Sequence, residues 1–228
     1  MLNTNTQKRE KPSKDKGHSL DIINVWPTIQ GEGPLIGTPS VFIRLAGCNL
    51  NCPLCDTNYT KNRKVSPILE LVQKCASFDA KLVVLTGGEP LRQNIGPFCR
   101  LLLNAGKDVQ IETNGTLFNK EIPKEVRIVC SPKTSTINSM MRQRADAFKY
   151  VVEKEWTNDQ DGLPTRVLGN ELSIARPPER FPRKEIYIQP MDVQDPEVNH
   201  QNAQYAISVC MRFGYRFCPQ VHKMFGME

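Results

Sequence analysis

The sequence predicts an α/β protein that folds as an incomplete, TIM-type barrel of about six parallel strands with reduced helical cover. Short runs rich in β-branched residues alternate with longer amphipathic runs, which is typical of right-handed βαβ units in a parallel sheet. The chain has 228 residues, whereas a complete barrel typically needs about 250. We therefore expect one domain, residues 20–228, whose barrel stays open.

The strands and helices are predicted from these runs. Strand patterns occupy residues 41–46, 81–86, 108–113, 126–130, 148–152 and 185–189. Helical patterns occupy residues 66–78, 95–106 and 199–214. Ser66 and Pro67 suit the start of the first helix, and Gly106 and Gly214 suit the ends of the other two. The helical cover is expected to be thinnest over residues 131–145.

The N-terminal segment, residues 1–19, differs from the rest of the chain. It holds five Lys or Arg against two acidic residues and so carries half of the net charge of +6. It has almost no large apolar side chains, and such a segment buries too little surface to order itself. We expect a flexible basic arm. Without a cluster of arginines and aromatics elsewhere, nucleic-acid binding is not favoured.

Composition also limits the class of protein. No apolar run is long enough to cross a bilayer, and no export signal is recognisable, so we expect a soluble cytoplasmic protein. The eight cysteines do not suit a disulfide scaffold in a chain of this length. Cys75, Cys99, Cys130 and Cys210 lie in apolar stretches and are expected to be reduced core residues. Cys218 stays unassigned.

Three further cysteines form a C-x3-C-x2-C motif, Cys48, Cys52 and Cys55. A structural zinc site usually closes with four ligands in paired motifs. Soft thiolates also suit iron–sulfur clusters. Three thiolates on a four-cornered cluster would leave one metal position for a ligand that is not protein.

Polar motifs follow five of the predicted strands. In chain order they are the cysteine motif, TGGEP (86–90), ETNG (112–115), SPK (131–133) and QPMD (189–192). Because the carboxyl ends of parallel strands share one edge of a sheet, these motifs are expected to surround one site.

Together the motifs resemble the radical S-adenosylmethionine superfamily and, within it, the 7-carboxy-7-deazaguanine synthase family. The resemblance rests on the motifs above and on QGEG (30–33), FIRLAGCNLNC (42–52), CDT (55–57) and QVHK (220–223). It extends from about Trp26 to the C-terminus. One residue departs from the family pattern, since Leu54 stands where an aromatic side chain is usual before the third cysteine.

The resemblance implies a [4Fe–4S] cluster on Cys48, Cys52 and Cys55, together with S-adenosylmethionine and Mg²⁺. Thr57 is implied as a magnesium ligand. The implied contacts to S-adenosylmethionine come from Leu54, Asp56, Gly87, Gly88, Glu89, Asn114, Ser131, Pro132, Lys133, Gln189, Pro190, Met191 and Asp192. Glycine lets the backbone approach a ligand closely, and Glu89 is expected to accept from the ammonium group of the cofactor.

The implied substrate is 6-carboxy-5,6,7,8-tetrahydropterin, an anion whose carboxylate needs a cation. Arg44 offers a bidentate fork in an otherwise apolar strand. The implied substrate residues are Ile29, Gln30, Gly31, Glu32, Arg44, Thr86, His222 and Glu228. The implied partners are an electron donor such as flavodoxin or ferredoxin and, because an open barrel has exposed edges, a second copy of the chain.

Three alternatives stay open on the sequence. The chain could be a radical activase that acts on a partner protein, although QGEG, Arg44 and CDT favour a small anionic substrate. It could be a zinc-binding module with His18 or His222 as the fourth ligand. It could also be an RNA-associated protein that binds through its basic arm.

Overall fold

The structure is a computed structural model, which describes residues 4–171 and 173–227. The strands in chain order are β1 (Ser19–Ile29), β2 (Pro39–Leu45), β3 (Lys64–Pro67), β4 (Leu82–Gly87), β5 (Asp108–Thr113), β6 (Arg127–Cys130), β7 (Ala147–Val152), β8 (Arg166–Val167), β9 (Asn170–Glu171), β10 (Ile186–Pro190) and β11 (Arg216–Phe217). The helices are α1 (Ile68–Ala76), α2 (Gly96–Asn104), α3 (Ser139–Arg144), α4 (Pro196–Phe213) and α5 (Val221–Met224). Short 3-10 helices span Gly33–Leu35, Pro90–Arg92 and Arg183–Glu185.

Within the described residues, nine strands form one open sheet in the order β11-β10-β7-β6-β5-β4-β2-β1-β3. The six predicted strands are β2, β4, β5, β6, β7 and β10, and each pairs in parallel with its neighbour. The predicted incomplete barrel of parallel strands is therefore confirmed. The sequence reading missed three outer strands: β1 and β3, which pair antiparallel at one end, and the two-residue β11 at the other.

The three predicted helices occur as α1, α2 and α4, with ends that differ from the predicted ones by up to three residues. The prediction for the start of α1 was wrong. Ser66 was expected to cap this helix, but it lies in β3, and α1 begins at Ile68 without a side-chain cap. Pairing with β1 holds Ser66 in extended backbone. Gly214 ends α4 as expected, in the left-handed conformation with φ of 74°. The cover over residues 131–145 is thin, since α3 has six residues.

Alternation along the strands separates a packed face of the sheet from a polar face. On β2, Val41, Ile43 and Leu45 are fully buried, while Phe42 and Arg44 are only partly buried. The first set belongs to the main hydrophobic core, which the buried faces of α1, α2 and α4 complete. The second set points to the other face, where a side chain needs a polar partner or a ligand.

None of the helices in the described part of the chain is both long enough and apolar enough to span a bilayer.

Candidate active site

A cavity of about 580 Å³ opens on the polar face of the sheet, at the carboxyl ends of the parallel strands. It is lined by most of the residues that the sequence assigned to a site: Ile29, Gln30, Gly31, Glu32, Arg44, Cys48, Cys52, Leu54, Cys55, Asp56, Thr57, Thr86, Gly87, Gly88, Asn114, Ser131, Lys133, Gln189, Pro190, Met191, Asp192 and His222. The motifs therefore meet at one edge, as their positions after the strands predicted.

Two of the assigned residues that the structure describes are not on this wall. Glu89 and Pro132 are fully or almost fully enclosed and do not line the cavity. Glu228 lies outside the described residues.

The cysteine loop, residues 47–57, brings three thiols to the cavity. Cys48 and Cys52 are each 9% exposed and Cys55 is half-buried. Among the described residues, no three His, Cys, Asp or Glu side chains come close enough together to hold one metal ion. The three thiols nevertheless line the same cavity, and soft thiolates are the donors that iron–sulfur clusters take.

Burial makes these thiols hard to ionise before a metal arrives. It raises the pKa of Cys48 to about 12 and raises the pKa values of Cys52 and Cys55 as well. Metal binding must therefore displace the protons, as it does whenever thiolate ligands bind a metal.

Gly87 and Gly88 place the second motif against the cysteine loop. A Cβ on Gly87 would lie 2.2 Å from the carbonyl oxygen of Leu45, and one on Gly88 would lie 2.1 Å from that of Gly47. These distances are too short for any side chain. The glycines are required for contact between the turn and the loop, in addition to any contact with a ligand.

The Glu89 carboxylate connects the end of β4 to the end of β5. One of its oxygens accepts from Leu91 N and Thr113 Oγ1 at 2.9 and 2.7 Å. The other accepts from Asn114 N at 2.8 Å. Burial raises the pKa of Glu89 although these donors lower it. Its carboxylate thus joins β4 to β5 next to the cysteine loop.

The loops after β5 and β6 present further polar groups. Asn114 Nδ2 donates to Asn49 Oδ1 at 3.0 Å, which ties the ETNG motif to the cysteine loop. Lys133 Nζ donates to the carbonyl and hydroxyl oxygens of Ser131. Burial lowers the pKa of Lys133, and the nearby Cys52 opposes this shift. A cation beside the thiols suits a site whose ligands carry negative charge.

Leu54 keeps a wall position despite its departure from the family pattern. Its amide donates to Leu168 O at 3.0 Å, and its side chain lies 3.2 Å from the place that a Cβ on Gly169 would take. The loop that carries Gly169 therefore packs closely on the smaller leucine side chain.

Arg44 also lies on the wall of the cavity, with its guanidinium carbon 5.0 Å from the ring centre of Trp26. It forms no salt bridge within the described residues. Alternation alone left its direction open, and the structure turns it inward, beside Thr86 on the neighbouring strand. An inward guanidinium without a carboxylate is available to an anionic ligand.

A charge cluster on the same wall joins the predicted Gln30 and Glu32 to Glu112 and Lys149, which sequence reasoning missed. Lys149 Nζ contacts Glu32 Oε2 and lies 3.0 Å from Glu112 Oε2. Gln30 Nε2 reaches Glu112 Oε1 at 3.5 Å. All four side chains line the cavity. A charged residue within an apolar strand had singled out Arg44, and the same signal was present for Lys149 in "AFKYVV" and Glu112 in "DVQIET".

Lys149 affects the ionisation of both Glu32 and Glu112. Burial alone would raise the pKa of Glu32, but Lys149 and a hydrogen bond from Gln220 lower it to about 2. For Glu112, burial prevails and the pKa is raised. The two carboxylates raise the pKa of Lys149 against the effect of burial. The cluster therefore holds an ionised Glu32 beside a carboxyl group that accepts a proton more readily.

The C-terminal segment closes one side of the mouth. Val221 N donates to Gly31 O at 3.1 Å, and His222 Nε2 lies 4.0 Å from Glu32 Oε1. Burial lowers the pKa of His222. Lys223 lies 3.0 Å from Asp56 Oδ2 and 2.8 Å from Asp192 Oδ2. Sequence reasoning missed Lys223, although it connects two of the predicted motifs.

Thr57 lies on the wall with its hydroxyl 3.3 Å from Asp56 Oδ1. One hydroxyl beside one carboxylate can contribute to a Mg²⁺ site that is otherwise completed by water and substrate oxygens.

The chain is similar to proteins of one known family. Residues 42–129 match the Radical SAM superfamily model. A 7-carboxy-7-deazaguanine synthase from Rhodospirillum rubrum is 44% identical over 93% of this chain and 94% of its own length. Proteins of the same name from Rickettsia prowazekii and Aquifex aeolicus are 38% and 36% identical over 93% of this chain, and over 90% and 97% of their lengths.

The fold has a solved counterpart. The crystal structure of QueE from Escherichia coli superposes with a TM-score of 0.66 over 90% of this chain and 95% of that one, at 24% sequence identity.

Proposed function

Because the chain belongs to the 7-carboxy-7-deazaguanine synthase family of the Radical SAM superfamily, we propose that it contracts the ring of 6-carboxy-5,6,7,8-tetrahydropterin to 7-carboxy-7-deazaguanine with loss of ammonia. The observation that carries the proposal is one cavity lined both by the three cysteines of the motif and by Arg44, which forms no salt bridge within the described residues. The three cysteines hold the cluster, and the product class serves 7-deazapurine biosynthesis of the queuosine type.

The cluster and S-adenosylmethionine, when bound, supply a 5′-deoxyadenosyl radical. The protein positions them. Cys48, Cys52 and Cys55 hold the cluster by its three liganded corners, and the Gly87–Gly88 turn lies directly against their loop. The polar residues after β5, β6 and β10 are proposed to bind the ribose, carboxylate and adenine of the cofactor, with Lys133 next to the negative charge.

At the other side, Arg44 binds the substrate carboxylate through a bidentate pair. Along the amine and amide edge of the pterin, the Gln30 amide both donates and accepts hydrogen bonds, and the Glu32 carboxylate accepts them. Thr86 adds a hydroxyl. The ionised Glu32 favours an amine, whereas Glu112 with its raised pKa is suited to exchange a proton with the ring. The C-terminal segment, with His222, keeps water from this side.

Magnesium, when bound, would be held by Thr57 and would supply positive charge for the substrate carboxylate. The support is the wall position of Thr57 beside Asp56 and the preference of Mg²⁺ for few protein ligands. Thr57→Ala should weaken the response of turnover to added magnesium while S-adenosylmethionine cleavage remains measurable. An unchanged magnesium dependence would remove Thr57 from the site.

A homodimer and a cytoplasmic location are also proposed. The edge strands β3 and β11 are largely exposed, and unpaired edges favour pairing with another chain. Reduced thiols suit the reducing cytoplasm. Light scattering on the purified protein tests the dimer, and a single-chain mass at micromolar concentration would exclude it.

The decisive test is anaerobic turnover of the carboxy-tetrahydropterin with S-adenosylmethionine and dithionite, with products identified by mass. The wild type should form the deazaguanine acid and ammonia. Cys48→Ala, Cys52→Ala and Cys55→Ala should each lose the cluster and all turnover. Cys75→Ala is the matched control, since Cys75 is buried in the core far from the motif. Product from a cysteine-motif variant, or none from the wild type, would refute the proposal.

A further inference from the structure

The basic arm has a defined place in the structure that its composition did not predict. Residues 5–10 of its described part lie on the cysteine loop, and residues 11–17 continue along the segment of Arg92 and Asn94. None of residues 4–18 lines the cavity, so the arm covers these segments from outside it.

Hydrogen bonds attach the arm to main-chain oxygens of the cysteine loop. Glu10 N donates to Cys48 O at 2.7 Å, and Asn5 Nδ2 donates to Cys52 O at 3.1 Å. Gln7 Nε2 donates to Thr57 O at 2.9 Å. The three acceptors are the carbonyl oxygens of the first cysteine, of the second cysteine and of Thr57, the last residue of the cysteine loop.

Side chains of the arm make further contacts with the body of the protein. Gln7 Oε1 accepts from Tyr59 N at 2.8 Å, and Tyr59, 1% exposed, lies with its hydroxyl 3.4 Å from Asn5 Nδ2. The Glu10 carboxylate pairs with Arg63 at 2.9 Å and with the buried Arg92 at 3.2 Å. These contacts use uncharged or acidic side chains.

The lysines of the arm are exposed: Lys8, Lys11, Lys14 and Lys16. Arg9 is exposed too, and its Nε donates to Asn51 Oδ1 in the cysteine loop at 2.6 Å. Lys61 is also exposed, next to Thr60, whose hydroxyl donates to Gln7 Oε1 at 3.1 Å. Among the nearby acids, Glu10 is used by its two ion pairs, and Asp15 accepts from the amides of Gly17 and His18. The outer surface is therefore strongly positive.

The part of this surface around Lys8 lies on the loop whose cysteines would hold the cluster, because the flanking residues Gln7 and Glu10 bond to that loop. A donor protein docked there would approach the cluster from outside the cavity. An exposed row of cations at that point attracts an anionic partner and orients it.

We propose that the arm is the docking surface for an acidic one-electron donor protein of the flavodoxin or ferredoxin class. The proposal rests on the proposed function, because only a radical S-adenosylmethionine enzyme needs this electron. One electron leaves the reduced donor and enters the oxidised cluster, with no bond made or broken in that step. Asn5, Gln7 and Glu10 fix the arm, and Lys8, Lys11 and Lys14 bind the donor.

The test compares two charge-reversed holoenzymes. One carries K8E, K11E and K14E. The arm is held on the cysteine loop by main-chain hydrogen bonds and by the side chains of Asn5, Gln7 and Glu10. The three lysine substitutions should therefore leave the position of the arm unchanged. The matched control carries K74E, K124E and K184E, three exposed lysines at the opposite edge of the sheet. Both variants change the charge equally.

Binding of an acidic flavodoxin is measured by calorimetry at low and high salt, and turnover is measured with reduced flavodoxin and with dithionite. We expect the arm variant to weaken flavodoxin binding at low salt by about 10- to 1,000-fold, the range for electrostatic steering, and to slow flavodoxin-driven turnover. Dithionite-driven turnover should match the wild type. The control variant should bind flavodoxin nearly as the wild type does.

Carbodiimide coupling gives a readout independent of activity. In the wild type, crosslinks to flavodoxin carboxylates should map to Lys8, Lys11 or Lys14. Crosslinks confined to the control lysines, equal weakening in both variants, or no flavodoxin binding by the wild type would each overturn the proposal. Absence of dithionite-driven turnover in the wild type would instead refute the proposed function.

The same variants separate a donor surface from an RNA surface. If the arm variant loses tRNA binding and keeps flavodoxin binding, the arm is an RNA-binding element and the proposal is wrong.

Discussion

The two parts of the cavity that we propose for the cofactor and for the substrate, here called the cofactor side and the substrate side, are built in different ways. At the cofactor side, the cysteine loop is held mainly by main-chain atoms, with the Gly87–Gly88 turn packed against it at distances that leave no room for a Cβ. At the substrate side, Glu32, Glu112 and Lys149 come from three separate elements and are held by charge.

The difference indicates how each side fails. The cofactor side depends on space, so adding one methyl group should disturb it while a change of surface charge should not. The substrate side depends on charge balance in a buried place, so removing one ion should disturb it more than a change of shape.

The largest effect is expected from Lys149→Met. Two buried carboxylates lose their cation, and removing one partner of a buried ion pair typically costs about 3–5 kcal/mol of unfolding free energy. Thermal and urea unfolding measure the loss. Lys81→Met is the control, since Lys81 forms an exposed pair at 3.8 Å and should lose about 0–1 kcal/mol.

The pH dependence sharpens this prediction. Lys149 lowers the pKa of Glu112, so in Lys149→Met that pKa rises further and the carboxyl group takes up a proton as pH falls. The deficit of the variant should therefore be smaller at pH 5 than at pH 8. In the wild type, the stabilisation from Glu32 is present above its usual pKa of 4.5 and is lost as pH falls towards about 2. A deficit of equal size at both pH values would contradict the assignment.

Gly88→Ala tests the cofactor side. The new Cβ would lie 2.1 Å from Gly47 O, so the turn or the cysteine loop must move. Misplacement by about 1 Å can cost roughly 100-fold in rate, and we expect a loss of that order in kcat/KM for S-adenosylmethionine. Gly106→Ala is the matched control. Its φ is 76°, but a Cβ there meets open space, so it should lose stability and keep its activity.

Arg44→Lys should have a smaller effect, restricted to the substrate. The charge remains while the bidentate fork is lost, which should weaken substrate binding by roughly 1–3 kcal/mol. Iron content and uncoupled S-adenosylmethionine cleavage should stay at wild-type levels. Arg100→Lys, on an exposed pair with Glu121 at 3.5 Å, is the control. A wild-type KM for the pterin in Arg44→Lys would assign Arg44 a structural role.

The smallest effect is expected from Lys223→Ala. Its two ion pairs join the cysteine loop to the QPMD motif, but the lysine side chain is 32% exposed, and exposed pairs contribute about 0.2–1 kcal/mol. The melting temperature should fall slightly at low salt and equal that of the wild type at high salt. A loss that persists at high salt would show that packing, rather than charge, holds the C-terminal segment.

The sequence by itself determined the parallel strands, the thin helical cover and the cysteine motif, because each depends on residues close together along the chain. Alternation of β-branched residues is a local property, as is the spacing of three thiols. The position of motifs after strands then predicted one shared edge, since parallel strands align their carboxyl ends.

The tertiary structure alone decided which side chains from distant elements meet. Strand pairing turned Arg44 inward, although period-two alternation permits either face. It also brought Lys149 between Glu32 and Glu112 and laid the basic arm on the cysteine loop. Glu32 and Lys149 are more than a hundred positions apart in the chain. A contact between residues so far apart produces no recognisable motif in the sequence. Such contacts are fixed by the register and order of the strands.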